Sequence, residues 1–276
     1  MYKYSVLMSV YFKDDADNLR LAIDSMLNQT VKPEQYVVVE DGKLTSELNT
    51  VIDEYKNQYP ELFTIVKIAQ NKGLANALNE GIKVCRNELV ARMDADDISL
   101  PERCEKELEC FELYPDLDIC GCQIDEFYDD VRNIRTSRVV PTNFNDIKKF
   151  MRKRQPFNHP TVIYKKEKVI EYGGYSLLKR KEDFDLFSKM ITNNCRAINL
   201  EEHLYLYRAN DNNYKRRKNF ENYKSALNVY VRHIKRGGCT IIDFIIICIA
   251  ETIFFIMPLS FMRKISDKFL REKVKK

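Results

Sequence analysis

Glycine and proline are scarce, eight of each in 276 residues, which excludes collagen-like repeats and argues against long disordered tracts. None of the eight cysteines forms a C-x-x-C pair, so paired-cysteine zinc sites and thioredoxin-type redox motifs lose their basis. Reduced thiols are expected instead, with Cys104 and Cys110 inside a helical pattern rich in Glu and Lys. The first apolar strand is not followed by G-x-G-x-x-G, and G-x-x-x-x-G-K-[ST] occurs nowhere, which weakens Rossmann dinucleotide binding and P-loop hydrolysis. No internal repeat is visible, and no run of basic and aromatic residues marks a nucleic-acid module. No basic leader with a cleavage-like site precedes the first strand, which points away from secretion and toward a reducing cytoplasm.

What is present suits a folded core. Hydrophobic residues make up 45% and charged residues 31% of the chain, enough for one large domain or a domain with an appendage. The net charge of +4 is unevenly spread: residues 1–214 carry 30 basic and 36 acidic side chains, and residues 215–276 carry 15 and 5. The basic character therefore belongs to the tail, where anionic lipid is a better partner than nucleic acid.

Ser5 to Tyr11 is β-prone, and Leu19, Ile23, Met26 and Leu27 then recur at helical spacing. Tyr36 to Val39 and Phe63 to Val66 read as further strands, Leu74 to Val84 as a helix, and Leu89 to Met93 as a fourth strand. Another helix is expected between Pro101 and Leu113, with Leu108 and Phe111 turned inward. Near-continuous apolar strands separated by helices predict a mainly parallel sheet covered on both faces. Ligands of such sheets bind at the carboxyl ends of the strands, where Glu40-Asp41-Gly42 and Asp94-Ala95-Asp96-Asp97 both fall. The second half is less regular, with strand character at Leu117 to Cys122, Thr161 to Tyr164 and Ala197 to Tyr207.

Three carboxylates on one turn repel one another, and a hard divalent cation offsets that repulsion. By spacing alone, the turn is equally an acidic, solvated lead into a helix cap. Asp41, read as an exposed carboxylate at a strand end, suits a hydrogen bond from a base N–H, with Gly42 allowing close backbone approach; the alternative is an ordinary Asp-Gly turn.

These segments, together with Asn71-Lys72-Gly73-Leu74-Ala75, Leu100-Pro101-Glu102-Arg103, Asn158-His159-Pro160, Gly173-Gly174-Tyr175 and Glu182-Asp183-Phe184-Asp185-Leu186, follow one another as in the family 2 glycosyltransferases of the GT-A fold. The chain resembles that family over about residues 3–210. The resemblance implies an α/β nucleotide-diphospho-sugar transferase of the kind that builds bacterial surface polysaccharide, lipopolysaccharide or capsule. A hexosyl or N-acetylhexosaminyl unit would pass from a UDP-sugar to a hydroxyl of a glycan or lipid-linked oligosaccharide, with inversion. It further implies that Asp96, with Asp94, holds Mn²⁺ or Mg²⁺; that Asp41, Asp94, Asp97 and Arg208 serve the nucleotide sugar; and that Asp183 is the catalytic base, with Glu182 and His159 as acceptor-side support. A histidine commonly follows the family's late Tyr-Arg, whereas Tyr207-Arg208 is followed here by Ala209-Asn210-Asp211, which leaves Asp211, water or no protein atom in its place. Arg208 then reads as a phosphate contact or as a surface ion pair. Two other readings stay open: a nucleotide-sugar pyrophosphorylase, whose glycine-rich basic loop is not seen, and a non-catalytic glycan-binding module.

Residues 215–276 read as a basic, apolar helical appendage to a catalytic domain of residues 1–214. The stretch from Ile241 onward is strongly apolar but broken by Asp243, Glu251 and Pro258, and acids at bilayer depth are costly. Helices lying in the membrane plane, with the basic run 263–276 facing an anionic cytoplasmic surface, are therefore expected ahead of a spanning helix or a protein contact. A homo-oligomer is compatible with the same features.

Overall fold

The computed structural model describes residues 2–128, 130–209, 219–258, 261 and 271–273. Strands β1 (Tyr4–Val10), β2 (Gln35–Asp41), β3 (Phe63–Ile68) and β4 (Leu89–Met93) lie parallel in the order β3-β2-β1-β4. Helices α1 (Ala16–Leu27), α2 (Ser46–Gln58) and α3 (Leu74–Val84) form the crossovers that parallel neighbours require. Asp15 caps α1 by accepting from the Asn18 N–H at 3.0 Å, and Leu19, Ala22, Ile23 and Met26 fill the buried face of that helix. Strand alternation divides the interior: Val6, Met8, Tyr36 and Val38 enter one core with α1 and α2, while Leu7, Val37 and Val39 enter the other with α3.

The sheet is mixed, which corrects the expectation of a mainly parallel one. β5 (Ile98–Ser99), α4 (Arg103–Leu113), β6 (Leu117–Phe127), β7 (Ile134–Arg138), α5 (Phe144–Met151), a 3₁₀ turn (His159–Thr161), β8 (Ile163–Lys165), α6 (Lys166–Glu171), α7 (Glu182–Thr192) and β9 (Arg196–Arg208) follow β4. β8 runs antiparallel to both β4 and β6, β7 is antiparallel to β6, and β5 is antiparallel to β9; only β6 and β9 add a parallel pair. For β6 and β7 the reason is connection length, since the short link between them allows only antiparallel pairing. In α4, Leu108 and Phe111 are buried as their spacing predicts.

The carboxyl-terminal part consists of α8 (Phe220–Lys235), α9 (Ile241–Ile256) and β10 (Glu272–Lys273). Val229, Tyr230 and Ile247 join the second core, and the Tyr230 hydroxyl donates to the Lys153 carbonyl at 2.9 Å. No helix among the described residues is long and apolar enough to cross a membrane. Part of the basic run is used within the protein, because β10 pairs with β7 and Arg271 binds Glu126 at 2.7 Å. The described cysteines are free thiols, and all but Cys248 are buried.

Candidate active site

The carboxyl ends of β2 and β4 form one wall of the site. Asp41 is buried, not exposed as the sequence suggested: its two oxygens accept the Lys72 and Gly73 N–H groups at 2.8 and 2.9 Å. The Asn71 amide donates to the Asp41 carbonyl at 3.1 Å, so Asp41 braces the loop that leads into α3. Gly42, at φ +90°, is required here, because a Cβ would lie 2.6 Å from the Asn71 nitrogen.

At the end of β4, one carboxylate oxygen from each of Asp94, Asp96 and Asp97 lies within 4.8 Å of the others. Burial, with the Asp94 charge beside it, pushes Asp96 up to about 6. Asp97 is fully buried and is also pushed well above the usual carboxylate range, first by burial and then by Asp96 and Asp94. Its Oδ1 accepts the Arg208 N–H at 2.7 Å, whereas its Oδ2 has no hydrogen-bond partner. An orphaned buried oxygen among crowded carboxylates fits a hard, oxygen-seeking divalent cation. Arg208 is tied to this turn by its side chain as well: its Nε donates to the Asp96 carbonyl at 2.8 Å, and its guanidinium lies over the Phe127 ring, 4.7 Å from the centroid. Asp211 lies outside the described residues.

The other acidic pair opens α7. Lys181 precedes it in the left-handed region at φ 64° and places Glu182 and Asp183 in the first turn, where the helix dipole favours negative charge. Burial alone would raise the Asp183 carboxyl, but His159, which carries charge only in the acid range where Asp183 titrates, the Gln155 amide and the Phe184 N–H outweigh it and hold the group below the usual range. The Gln155 hydrogen bond to Oδ2 is 2.9 Å long. Burial and the Asp183 charge push neighbouring Glu182 the other way, to about 7. The two acids thus differ at neutral pH: Asp183 is ionised, while Glu182 shares a proton with solvent. Asp185, one turn into the same motif, is fully buried and pairs with Arg236 at 2.8 Å and Arg232 at 3.3 Å, which attaches α8 to α7.

His159 is engaged by protein. Its Nε2 meets the Tyr175 hydroxyl at 3.0 Å, and its ring packs on Phe187. Burial and the Arg92 charge lower it to about 4, so the imidazole is neutral at physiological pH.

Arg92, Gln155 and Tyr205 also lie among these residues and the motif reading passed over them, while Tyr175 was noted only as the end of the Gly173-Gly174-Tyr175 turn, with no role. The Arg92 guanidinium is buried against Asp94, and its charge acts on Asp96, His159 and Glu182, which joins both acidic clusters in one electrostatic site. The signal was available: a lone cation within an otherwise apolar strand must be paired. The Tyr205 hydroxyl accepts the Asp94 N–H at 3.3 Å. Nothing in the spacing of Gln155 linked it to Asp183.

The chain is similar to known proteins in sequence and in fold. Residues 5–183 match the profile of glycosyl transferase family 2. The chain is 36% identical over 270 residues to an uncharacterized glycosyltransferase of Haemophilus influenzae, covering 98% of this chain and 100% of that protein. It is 34% identical over 271 residues to the Escherichia coli UDP-Gal:alpha-D-GlcNAc-diphosphoundecaprenol beta-1,3-galactosyltransferase, covering 98% and 97%. In fold it is similar to the Pyrobaculum calidifontis mannosyltransferase PcManGT solved with GDP-Man and Mn2+, with a TM-score of 0.64 at 18% identity over 92% of this chain and 70% of that one. This likeness identifies a GT-A-type fold, and the profile match sets aside the pyrophosphorylase reading. With residues 5–183 matching the family profile and a full-length relative at 36% identity, the chain belongs to glycosyl transferase family 2.

Proposed function

We propose that the protein transfers a hexosyl or N-acetylhexosaminyl unit from a UDP-sugar to a hydroxyl of a glycan or lipid-linked oligosaccharide, with inversion. The observation that carries this reading is the pairing of the three-carboxylate turn with a separate carboxylate, Asp183, kept ionised by Gln155. The nearly full-length likeness to a galactosyltransferase named for UDP-Gal and a diphosphoundecaprenol-linked acceptor supports the donor nucleotide and the acceptor class.

Asp183 takes the proton of the attacking hydroxyl. A base must be unprotonated before it acts, and of the two adjacent acids Asp183 meets that condition across neutral pH. One such carboxylate on the acceptor side suffices for inversion, whereas glycoside hydrolysis uses two opposed ones. Glu182 and neutral His159 support the acceptor side, with Tyr175 fixing the imidazole. Asp96 and Asp94, with Asp97 in reach, would hold Mn²⁺ or Mg²⁺, which supplies positive charge for the departing diphosphate. Asp41 serves the uridine end through the loop it braces, and Arg208 serves the diphosphate end from its place on the aspartate turn. The catalytic unit spans residues 1–214, and residues 215–276 bring it to the anionic cytoplasmic face of a membrane as a peripheral protein.

Ligand-observed NMR with a panel of nucleotide sugars, in Mg²⁺ and in EDTA, tests the reading. A metal-dependent signal from a UDP-sugar is expected. Selective binding of a different nucleotide, or no binding by folded protein, would overturn it.

A further inference from the structure

The two acids that interrupt the apolar tail are both turned toward the protein. Asp243 binds Arg152 at 2.6 Å and Lys153 at 3.3 Å, and Glu251 binds Lys181 at 3.2 Å. Ile247, between them on the same side of α9, is buried. The opposite side carries Ile242, Ile245, Ile249, Ile253 and Ile256, which follow the three- and four-residue spacing of a single helix face. These five are 51–71% exposed. The usual amphipathic arrangement is thus inverted, with ion pairs inward and an unbroken isoleucine stripe outward.

At the amino-terminal end of α9 lies a cleft of about 400 Å³, lined by Lys148, Lys149, Arg152 and Arg236 beside Gly237 and Gly238. Arg152 and Arg236 are paired with Asp243 and Asp185, and Lys148 and Lys149 are exposed on α5. The 16 residues of α9 extend about 24 Å at 1.5 Å per residue, short of the roughly 30 Å of a bilayer core. Spanning is therefore excluded for this helix, while lying flat is not.

We propose that α9 lies flat on an anionic bilayer, with its isoleucine stripe at the lipid boundary and the Lys148–Lys149 cleft against headgroup phosphate. This deepens the membrane reading above by naming the surface. Glu251 pairs with Lys181, the residue immediately before Glu182 and Asp183, so the membrane-facing helix is attached beside the catalytic carboxylates. A lipid-linked acceptor at the same surface would meet them without leaving the membrane.

The test is co-sedimentation of the full chain with phosphatidylglycerol–phosphatidylcholine vesicles and with phosphatidylcholine vesicles alone. Ile245→Glu combined with Ile249→Glu changes only exposed positions and should lower partitioning roughly tenfold or more, because two inserted side chains are replaced by charges. Lys148→Ala combined with Lys149→Ala should remove the preference for phosphatidylglycerol. Unchanged partitioning of the isoleucine variant, or no vesicle binding by the parent protein, overturns the proposal. So does a parent dimer in light scattering that the isoleucine variant converts to monomer, which would assign the face to a second copy. UDP-sugar binding measured on the same samples separates failure of this surface from failure of the transferase reading.

Discussion

Replacing Asp96 by asparagine should make the metal-free protein more stable while removing its response to metal. Burial and the Asp94 charge shift Asp96 from 3.8 to about 6 in the folded chain. Between those values the unfolded chain releases this proton and the folded one keeps it, so stability falls as pH rises through the interval and the full cost remains above it. At about 1.4 kcal/mol per pH unit, the cost at pH 7.5 is about 3 kcal/mol. The asparagine side chain is nearly isosteric and uncharged, and avoids most of that cost. A gain of roughly 1–3 kcal/mol is expected in EDTA at pH 7.5, equivalent to several degrees in Tm, and it should shrink to roughly half a kcal/mol near pH 4, where the folded protein keeps Asp96 neutral and the unfolded chain is only partly ionised. Saturating Mn²⁺ should reverse the order, since a ligand at 100 times its Kd stabilises the native state by about 2.7 kcal/mol and the variant lacks the central carboxylate. Thermal and urea denaturation at the two pH values, with and without Mn²⁺, provide the comparison. A variant less stable than the parent in EDTA at pH 7.5, or one that retains the full Mn²⁺ stabilisation, refutes the argument.

Asp183→Asn should reduce transfer by about 10²–10⁴-fold with unchanged calorimetric affinity for UDP-sugar and Mn²⁺; near-normal turnover would move the base elsewhere. Gln155→Leu removes a donor that favours the ionised form of Asp183. The acid limb of the kcat profile should therefore move to higher pH, and an unmoved limb would break the link between the two residues. Gly42→Ala forces an alanine to φ +90° with its Cβ against Asn71; a loss of roughly 1–3 kcal/mol in urea denaturation is expected, and no loss would mean the loop shifts freely.

Periodicity located α3 and β4 with the boundaries the structure shows, because each buries a regular apolar pattern against the sheet. It passed over α2, whose buried residues Leu48, Val51, Ile52 and Tyr55 are diluted by polar neighbours. It also passed over β5 and β7, which are short and take their order from strand partners elsewhere in the chain. Of the candidate site, the aspartate turn stood out because three carboxylates crowd after an apolar strand, with a solvated turn as its equal alternative, whereas Asp183 was picked out only through the family resemblance. Asp41 was legible as a position but misjudged in exposure: the amides that cover it come from the loop after β3.

The sequence by itself determined which residue types were available and the local elements that carry them, since alternation, helical spacing and turn residues act over a few neighbours. Tertiary structure decided what those residues face. Arg92 became the cation shared by both acidic clusters, Gln155 became the partner of Asp183, and Asp243 and Glu251 turned inward to cations after α5 and before α7. Burial and the charge of distant partners set these outcomes, and both arise only when segments far apart in the chain are packed together.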